Sequence, residues 1–368
     1  MDEPAVSRSI ETTYKTGGDI RFVLLTSCQS GCDFCHLEGH RSPDEVGALN
    51  EALSGWKTAD RLLPLFNRLG NPVTMEDVDY VVLIAKKFGL RKVQLTGGEP
   101  SLHPNASVII SRLAQGGMSV GMTTHGEVNT PYFESLLRAG LSGVNFSLHA
   151  VIPEQYVAMD LVAQEVRDRR GKERALRFAQ AKLDKKMRNM RQAVRYAQEE
   201  DRRFSVKANT VVQDVRTAIA VVEWCNREGV DVRLQRDISC KEQSNTLIEE
   251  VVRMLEAVPA REDIAIGDSS GSGTDYTYPR GRFKLKTFGD IYVATMCDDC
   301  DFKDTSQCRE RFYGIRVEHG KVTTCIDRVA AGITSFSILE FLDQLDKNTG
   351  VPTFISQQYA DMHKTTDK

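Results

Sequence analysis

The sequence predicts an α/β fold, a parallel sheet of six strand–helix units followed by a small cysteine-rich segment. Three observations carry this reading. From about residue 19 to 238, strand-like apolar runs alternate with helix-like stretches, the pattern of βα units. Nearly every one of those strands has one apolar and one polar face. Seven of the nine cysteines fall in two tight groups, Cys28, Cys32 and Cys35 near the start and Cys297, Cys300, Cys308 and Cys325 after the last of the six units. The 368 residues correspond to roughly two domains. With 41% apolar and 27% charged residues, a disordered chain, a collagen-like chain and a small disulfide scaffold are excluded.

Residues 1–18 read as a short leader. The first strand, 21–26, contains Phe22-Val23-Leu24-Leu25 and runs into the first cysteine group. The stretch from His36 to Thr74 exceeds what one crossover needs and reads as an insertion over the active face, of the kind that can form a lid. Thr74 then offers an N-cap with Asp77 three residues on, and Gly89 offers a helix stop. The remaining strands are expected at 92–96, 119–124, 143–149, 204–212 and 231–236.

The alternation along these strands is specific. Gln94 and Thr96 alternate with Val93 and Leu95. Asn145, Ser147 and His149 alternate with Val144, Phe146 and Leu148. Lys207 and Asn209 alternate with Val206, Ala208 and Thr210, and Arg233 and Gln235 with Val232 and Leu234. A closed barrel fills its lumen with branched apolar side chains. A polar inner face implies either a solvated sheet or a lumen that holds polar ligands. Parallel sheets covered by helices seldom leave a face wet, which favours the ligand reading.

Residues 161–200 are helix-forming and basic. From Arg167 to Arg195, twelve Lys and Arg residues face only Asp168, Glu173 and Asp184. Such a run can bind an anionic partner such as RNA, but without interleaved aromatics it is read here as a solvated outer helix. Gly267 to Thr274 is a flexible glycine and serine loop. Short strands are expected at 282–286, 290–294 and 314–317, with a hairpin turn at His319-Gly320, and a helix at 337–346 before a polar tail.

The net charge of −3 gives no reason to expect a polyanion partner. No apolar run approaches the ~18–20 residues of a membrane helix. The start, Met-Asp-Glu-Pro, lacks the basic and apolar parts of a signal peptide. A cytoplasmic, reducing location is the expectation.

In such a compartment, clustered thiols mean metal rather than disulfides. Three thiolates spaced C-x3-C-x2-C can hold three irons of a 4Fe-4S cube and leave the fourth iron open, whereas a cluster used only for electron transfer normally has four thiolates. A zinc loop completed by His36 or His40 is the alternative. The second group, C-x2-C-x7-C-x16-C, suits a zinc ribbon or an Fe–S site equally by spacing.

The first group, with Phe34 before its last cysteine and an apolar strand ahead of it, resembles the radical SAM superfamily. Leu95-Thr96-Gly97-Gly98-Glu99-Pro100 after the second strand resembles that family's glycine turn. The nearest pattern is the molybdenum-cofactor GTP 3′,8-cyclase type, over roughly residues 19–328. It includes Thr123-Thr124-His125-Gly126, Val144 to Leu148, Val206-Lys207-Ala208-Asn209 and the segment from Arg316 to Cys325.

This resemblance implies a partial (β/α)6 TIM-like barrel over 19–238. An auxiliary-cluster domain of twitch or SPASM type would follow over 239–330, then a helix and tail over 331–368. It implies a 4Fe-4S cluster on Cys28, Cys32 and Cys35, S-adenosylmethionine (SAM) as cofactor, and a second, auxiliary 4Fe-4S cluster on Cys297, Cys300, Cys308 and Cys325. Phe34, Gly97, Gly98, Glu99, Ser147 and Asn209 would bind SAM, the carboxylate of Glu99 suiting an ammonium. Arg21, Thr123, Lys207 and Arg316 would lie at substrate-anchoring positions. His149 and His125, at strand ends, could move a proton. Cys240 reads as a buried thiol, with donation of a hydrogen atom to a product radical as the alternative.

The activity implied is reductive cleavage of SAM to a 5′-deoxyadenosyl radical, with hydrogen abstraction from a nucleoside, nucleotide or sugar-like molecule in cofactor or specialised-metabolite biosynthesis. An electron donor such as flavodoxin or ferredoxin would be required, and neither nucleic acid nor membrane is an expected partner. The alternatives are maturation of a peptide or protein and modification of RNA. The short leader counts against the first, because it leaves no room for a peptide-binding domain. The chain departs from the cyclase pattern at Gln94, where the cyclase has arginine, and at His125 and His149. It also lacks the Gly-Gly tail. With expected cations missing, GTP itself is not the expected substrate.

Overall fold

The computed structural model describes residues 19–25, 28, 30–32, 34, 73–87, 90–199, 204–235, 237, 241–256, 282–284, 290–294, 315–318, 320–323 and 336–347. The leader, the insertion up to residue 72, Gly89, the glycine and serine loop, Cys35, Cys240, His319, the four C-terminal cysteines and the tail lie outside the described residues.

Six strands form the parallel centre in chain order: β1 (Asp19–Leu25), β2 (Lys92–Gly97), β3 (Ser119–Thr124), β4 (Leu141–Ser147), β5 (Ser205–Val211) and β6 (Asp231–Gln235). Each matches an expected strand to within about two residues, the ordinary uncertainty of element ends. β7 (Arg282–Lys284) and β8 (Asp290–Ala294) form a hairpin whose β8 pairs parallel to β6. β9 (Ile315–Glu318) pairs parallel to β1 and antiparallel to β10 (Lys321–Thr323), with β11 (Phe336–Ser337) outermost. The order is β11-β10-β9-β1-β2-β3-β4-β5-β6-β8-β7. It is an open α/β partial barrel, since no pairing joins β7 to β11. The late strands extend both edges of the central six, so the chain from Ala294 to Ile315 passes from one edge of the sheet to the other.

Helices cover the apolar faces. α1 (Met75–Lys87) begins on a capping box: Thr74 Oγ1 accepts from Asp77 N at 3.2 Å and Asp77 Oδ2 accepts from Thr74 N at 2.8 Å. It buries Val78, Val81, Ile84 and Ala85. α2 (Ala106–Gln115) and α3 (Thr130–Arg138) follow β2 and β3, and α3 is capped by Asn129, whose Oδ1 accepts from Tyr132 N at 2.9 Å. After β5 and β6 come α7 (Val215–Glu228) and α8 (Lys241–Glu256), and α9 (Ile338–Lys347) closes the described chain.

The connection from β4 to β5 differs from the rest. It comprises α4 (Pro153–Met159), α5 (Leu161–Arg170) and the 28-residue α6 (Lys172–Glu199). Asp160 separates the first two, and Gly171, at φ 85°, the second pair. Among the described residues, no helix is long and apolar enough to cross a membrane.

The outer face of the sheet is the core. Ile20, Phe22 and Leu24 of β1 join Val93, Leu95, Val120, Met122, Val144, Phe146, Ala208, Leu234, Ile315 and Val317 in one buried cluster with the helices. The alternate residues face inward, as the period-two pattern requires. Register aligns them: Arg316 of β9 lies beside Arg21, Arg21 beside Gln94, Thr123 beside Asn145, Asn145 beside Lys207, and Asn209 beside Arg233.

Gly126, just beyond β3, illustrates the tightness. Its φ is +71°, and a Cβ there would stand 2.7 Å from the Phe146 ring. Gly229, at φ +70° with nothing within 4 Å, has the backbone demand without the clash. Gly126→Ala is therefore expected to lower stability by about 2–4 kcal/mol, backbone strain plus overpacking. Gly229→Ala should cost only about 1 kcal/mol. Urea titration of both variants checks the difference.

Candidate active site

All the elements that build the site are C-terminal ends of parallel strands, which open to the same side of the sheet. The cysteine loop follows β1. Gly97-Gly98-Glu99 follows β2, Thr124 to Glu127 follow β3, Ser147-Leu148-His149 follow β4, and Asn209 lies near the end of β5.

The cysteine loop is held from outside by the β4–β5 excursion. Gly31 N donates to Asp160 Oδ2 at 3.1 Å, Leu161 N donates to Gly31 O at 2.7 Å, and Cys32 forms an isolated antiparallel bridge with Asp160. Asp160 also caps α5, its Oδ1 accepting from Ala163 N at 2.8 Å. A Cβ on Gly31 would meet Val162 at 3.0 Å, so the loop fits flat against the start of that helix. Cys28 and Cys32 are free, half-buried thiols, and Cys28 Sγ accepts from Ser30 N at 3.4 Å.

Below the loop lies a buried charge cluster. Glu127 Oε2 receives Lys182 Nζ at 2.8 Å, its Oε1 stands 3.5 Å from Lys186 Nζ, and the Tyr156 hydroxyl donates to Oε1 at 3.1 Å. Lys186 Nζ also donates to Ser147 O at 2.8 Å. Burial alone would raise the Glu127 carboxyl, but Lys182, His125 and Lys186 outweigh it and hold it well below the usual carboxylate range. Burial likewise works against charge on Lys182. Glu127, Asp160 and the nearby Cys28 prevail, and its pKa rises. Tyr156 is pushed well up by burial, then by Asp160, Glu127 and Cys32, and stays a neutral donor.

Glu99 is 1% exposed. Its Oε1 accepts from Ser101 N at 3.0 Å and from the Thr124 hydroxyl at 2.6 Å, and its Oε2 from His125 N at 2.7 Å. The carboxylate thus ties the glycine turn to the end of β3. Gly97 has φ +124°, and a Cβ there would lie 2.3 Å from Leu25 O, so only glycine lets the turn lie against β1.

A pocket opens between the cysteine loop and the β4 end, lined by Cys32, Phe34, Ser147, His149, Met159 and Lys186 among others. Phe34 and His149 meet edge to face with ring centroids 4.6 Å apart. His149 Nδ1 accepts from Val211 N at 3.1 Å, and burial, then Lys186, pushes its pKa down to about 3. His125 is fixed the same way, its Nδ1 accepting from Glu127 N at 3.0 Å, and burial lowers its pKa too.

On the inner face of the sheet, Arg21, Lys207 and Arg316 share the lumen with Thr123. Arg316 is 3% exposed and bonds Glu318 at 2.9 Å. Gln94, standing where arginine was expected, turns its amide oxygen to Thr123 N and Thr123 Oγ1, both at 3.0 Å. The structure thus brings together Cys28, Cys32, Phe34, Ser147 and His149 around the pocket. Gly97, Gly98, Glu99 and Asn209 stand at neighbouring strand ends, and Arg21, Thr123, Lys207 and Arg316 lie in the lumen. Cys35, Cys297, Cys300, Cys308 and Cys325 lie outside the described residues.

Sequence reasoning missed Asp160, Tyr156, Glu127, Lys182 and Lys186, and it passed over Arg233 as a site residue. One signal was available. Lys182 and Lys186 sit in the middle of the apolar stripe formed by Ala175, Ala179, Leu183, Met190 and Ala193, where a solvated helix has no cations. The outer-helix reading holds for Arg167, Arg170, Lys172, Arg174, Lys185 and Arg188, which are exposed.

Two chemical groups are suggested by this set: a cluster on the cysteine loop and a ligand in the pocket beside it. The residues fit both. The thiols stand on a loop pinned open by Asp160, and Asn209, 7% exposed, has its Oδ1 buried with no hydrogen-bond partner among the described residues.

Comparison with known proteins agrees. A sequence model of the Radical SAM superfamily matches residues 22–212, more than half of the chain. A protein of Thermococcus kodakarensis named probable GTP 3′,8-cyclase is 32% identical over 138 residues, 38% of this chain and 37% of that protein. One of the same name from Aeropyrum pernix is 31% identical over 167 residues, 45% of this chain and 39% of that protein. The chain thus matches less than half the length of these curated relatives. Among solved structures, Streptococcus suis SuiB bound to S-adenosylmethionine superposes with TM-score 0.56 and 13% identity, covering 93% of this chain and 68% of that one. SuiB bound to its precursor peptide SuiA gives TM-score 0.54 and 12% identity, covering 92% and 67%. At such identities the likeness concerns the fold.

Two predictions follow from the charge cluster and the histidines. Glu127→Gln leaves two buried ammonium groups without their anion and is expected to destabilise the protein by about 3–5 kcal/mol. Adding Lys182→Met should recover part of that loss, as read by chemical denaturation of both variants. His149, at about 3, and His103, which burial lowers to about 4, are neutral in the fold but take up protons near 6.5 when unfolded. The unfolded chain therefore binds more protons below that value, and stability present above pH 6.5 falls as pH drops. Denaturation midpoints between pH 7.5 and 5 should decline, and less steeply in His149→Phe.

Proposed function

The chain belongs to the radical SAM superfamily, and on that premise we propose that it is an enzyme acting on an anionic, hydroxyl-bearing small molecule of nucleotide type. The observation that carries the substrate class is the inner face of the sheet. Arg316, Arg21, Lys207 and Arg233 are brought by strand register onto a single polar surface, at the side of the barrel where the cysteine loop opens. Arginine forks and a lysine ammonium on one concave surface suit phosphate or carboxylate oxygens. Gln94 does not add to that grip, being spent on Thr123, so a substrate with fewer charges than a triphosphate suits this lumen.

Cys28, Cys32 and Cys35 would hold a 4Fe-4S cluster with one iron open to the pocket. The cluster and SAM, when bound, supply one-electron cleavage of a sulfonium C–S bond and with it a strong hydrogen-atom abstractor. The chain's own part is to place and shield. The oxygens of Glu99 are occupied by Ser101, Thr124 and His125, so the ammonium of SAM is left to the backbone of the Gly97-Gly98 turn. Lys186, at the pocket wall beside Ser147, would take its carboxylate. The orphan Oδ1 of Asn209 and the Ser147 hydroxyl suit hydroxyl groups. Phe34, Met159, Ala150 and Tyr156 exclude water from the same space.

Arg21, Lys207 and Arg316 would anchor the substrate, with Thr123 held by Gln94 as a fixed hydroxyl, so that its reacting carbon stays within reach of the pocket. The auxiliary 4Fe-4S cluster on Cys297, Cys300, Cys308 and Cys325, in a division of the chain near residue 238, belongs to the same proposal. So does a one-electron protein donor of flavodoxin or ferredoxin type.

The test is direct. Anaerobically reconstituted protein with SAM, dithionite and deuterated nucleotide or sugar phosphate candidates should yield 5′-deoxyadenosine carrying deuterium from the correct substrate. Cys32→Ser should yield none. Undiminished SAM cleavage by that variant would remove the reading.

A further inference from the structure

The histidine at the end of β4 is placed to do something more specific than fill space. His149 touches the protein on both faces of the strand end. Its Nδ1 accepts the Val211 N–H at 3.1 Å, so the neutral ring carries its proton on Nε2. The ring leans edge to face on Phe34, with centroids 4.6 Å apart and planes at 77°, and both rings line the pocket. Lys186, the cation facing the same pocket, adds to the burial that keeps the imidazole neutral. The groups around His149 are thus Val211 N–H on one side, the Phe34 ring on another, Lys186 below and the pocket in front. A neutral imidazole whose Nδ1 is engaged presents its remaining polar group, Nε2–H, as a donor only.

We infer that His149 is a fixed hydrogen-bond donor to an acceptor atom of the adenosyl part of SAM, an adenine ring nitrogen or a ribose oxygen, and so selects the cofactor rather than moving a proton. This rests on the radical SAM reading of the pocket. The flat wall of Phe34 and His149 suits a planar or sugar-like group, and the cationic Lys186 at the other side suits the amino-acid end of the same ligand, which fixes the direction in which it lies. At the strand end where a carboxylate was expected from the family pattern, the chain offers a donor in place of an acceptor. The contact it makes must therefore be to a lone pair and not to a hydroxyl proton.

The experiment reads binding, not turnover. The cluster-loaded protein is titrated calorimetrically with S-adenosylhomocysteine and with its 1-deaza, 3-deaza, 7-deaza and 2′-deoxy analogues. In the wild type one analogue, the one lacking the accepting atom, should bind about 3- to 12-fold more weakly than the parent, the range of one net hydrogen bond. His149→Phe should weaken the parent by a similar factor and bind that analogue no worse than the parent. His149→Gln, which keeps an N–H donor, should restore part of the discrimination. Iron content and thermal midpoint of each variant establish that the loop and fold are intact.

If no analogue is discriminated, or if His149→Phe discriminates as the wild type does, the assignment of His149 is wrong while the SAM site stands. If the wild type does not bind S-adenosylhomocysteine at all, the proposed function fails and this inference with it. A parent affinity that changes between pH 6 and 9 in the wild type but not in His149→Phe would show a titrating base and also overturn the donor role.

Discussion

The interaction on which the site depends is the grip of Asp160 on the cysteine loop, with the buried charges that surround it. A loop that must offer three thiolates to one object cannot rely on its own backbone for shape. Here a single carboxylate takes the Gly31 amide with one oxygen and caps α5 with the other. The same residue pairs with Cys32 through the backbone. The loop is thereby fixed to the first turn of a helix, a rigid reference, rather than to another loop. The helix in turn is fixed to the barrel through α6, whose Lys182 and Lys186 reach inward to Glu127 at the end of β3. Geometry at the thiols is thus set by an element 129 residues away in sequence, which explains why the longest crossover in the described fold lies there.

The second constraint is the register of the sheet. A polar side chain facing a helix-covered surface would be stranded without partners. The period-two pattern avoids this only if every strand presents the same parity inward, and the pairings show that it does from β9 through β6. A slip of one residue anywhere would carry Arg21 or Lys207 into the apolar layer that now holds Phe22 and Ala208. The lumen's chemistry and the core's stability are therefore one design. The strands contributed by residues 282–323 continue the same sheet at both edges, and Arg316 enters the lumen because β9 lies in register with β1.

Much of this was legible in the sequence. The strands could be read from alternation, and the capping box at Thr74 and Asp77 from its spacing. The cysteine loop and the glycine turn stood out because their residue types are costly anywhere else. The signal was weaker where the chemistry depends on distant pairing. Asp160 looks like any helix cap, and nothing local says that its second oxygen reaches back to Gly31. Glu127 and Tyr156 join only through the fold. Glu99 was read as a ligand for an ammonium because a carboxylate suits one, but the structure shows its oxygens taken by Ser101, Thr124 and His125. Gln94 likewise serves Thr123 rather than the lumen. In both cases the sequence named the right place, and only the hydrogen-bond partners could say what the side chain does there. The basic run from Arg167 to Arg195 was read by composition. Its two meaningful members were visible only by their position on the helix's apolar stripe.

The charge balance of the pocket closes the argument. Glu99, Glu127 and Asp160 are buried carboxylates within one small region, and only two lysines accompany them there. Thiolates on the loop above would add further negative charge to a dry environment, where like charges repel strongly. Lys182 already responds to Cys28 as well as to Glu127 and Asp160. Its ammonium is shared between the fold below and the cysteine loop above. Lys186, bonded to Ser147 O and facing the pocket, is shared in the same way between Glu127 and whatever occupies that space. A neutral His149 fits this balance, since a third cation beside Lys186 would be opposed by it and by burial. The site is therefore arranged so that positive charge comes from α6, hydrogen-bond donors from the strand ends, and thiolates from a loop clamped between them. Each of these sources is held by a different element, which allows the lumen beyond to vary its substrate without disturbing the chemistry at the loop.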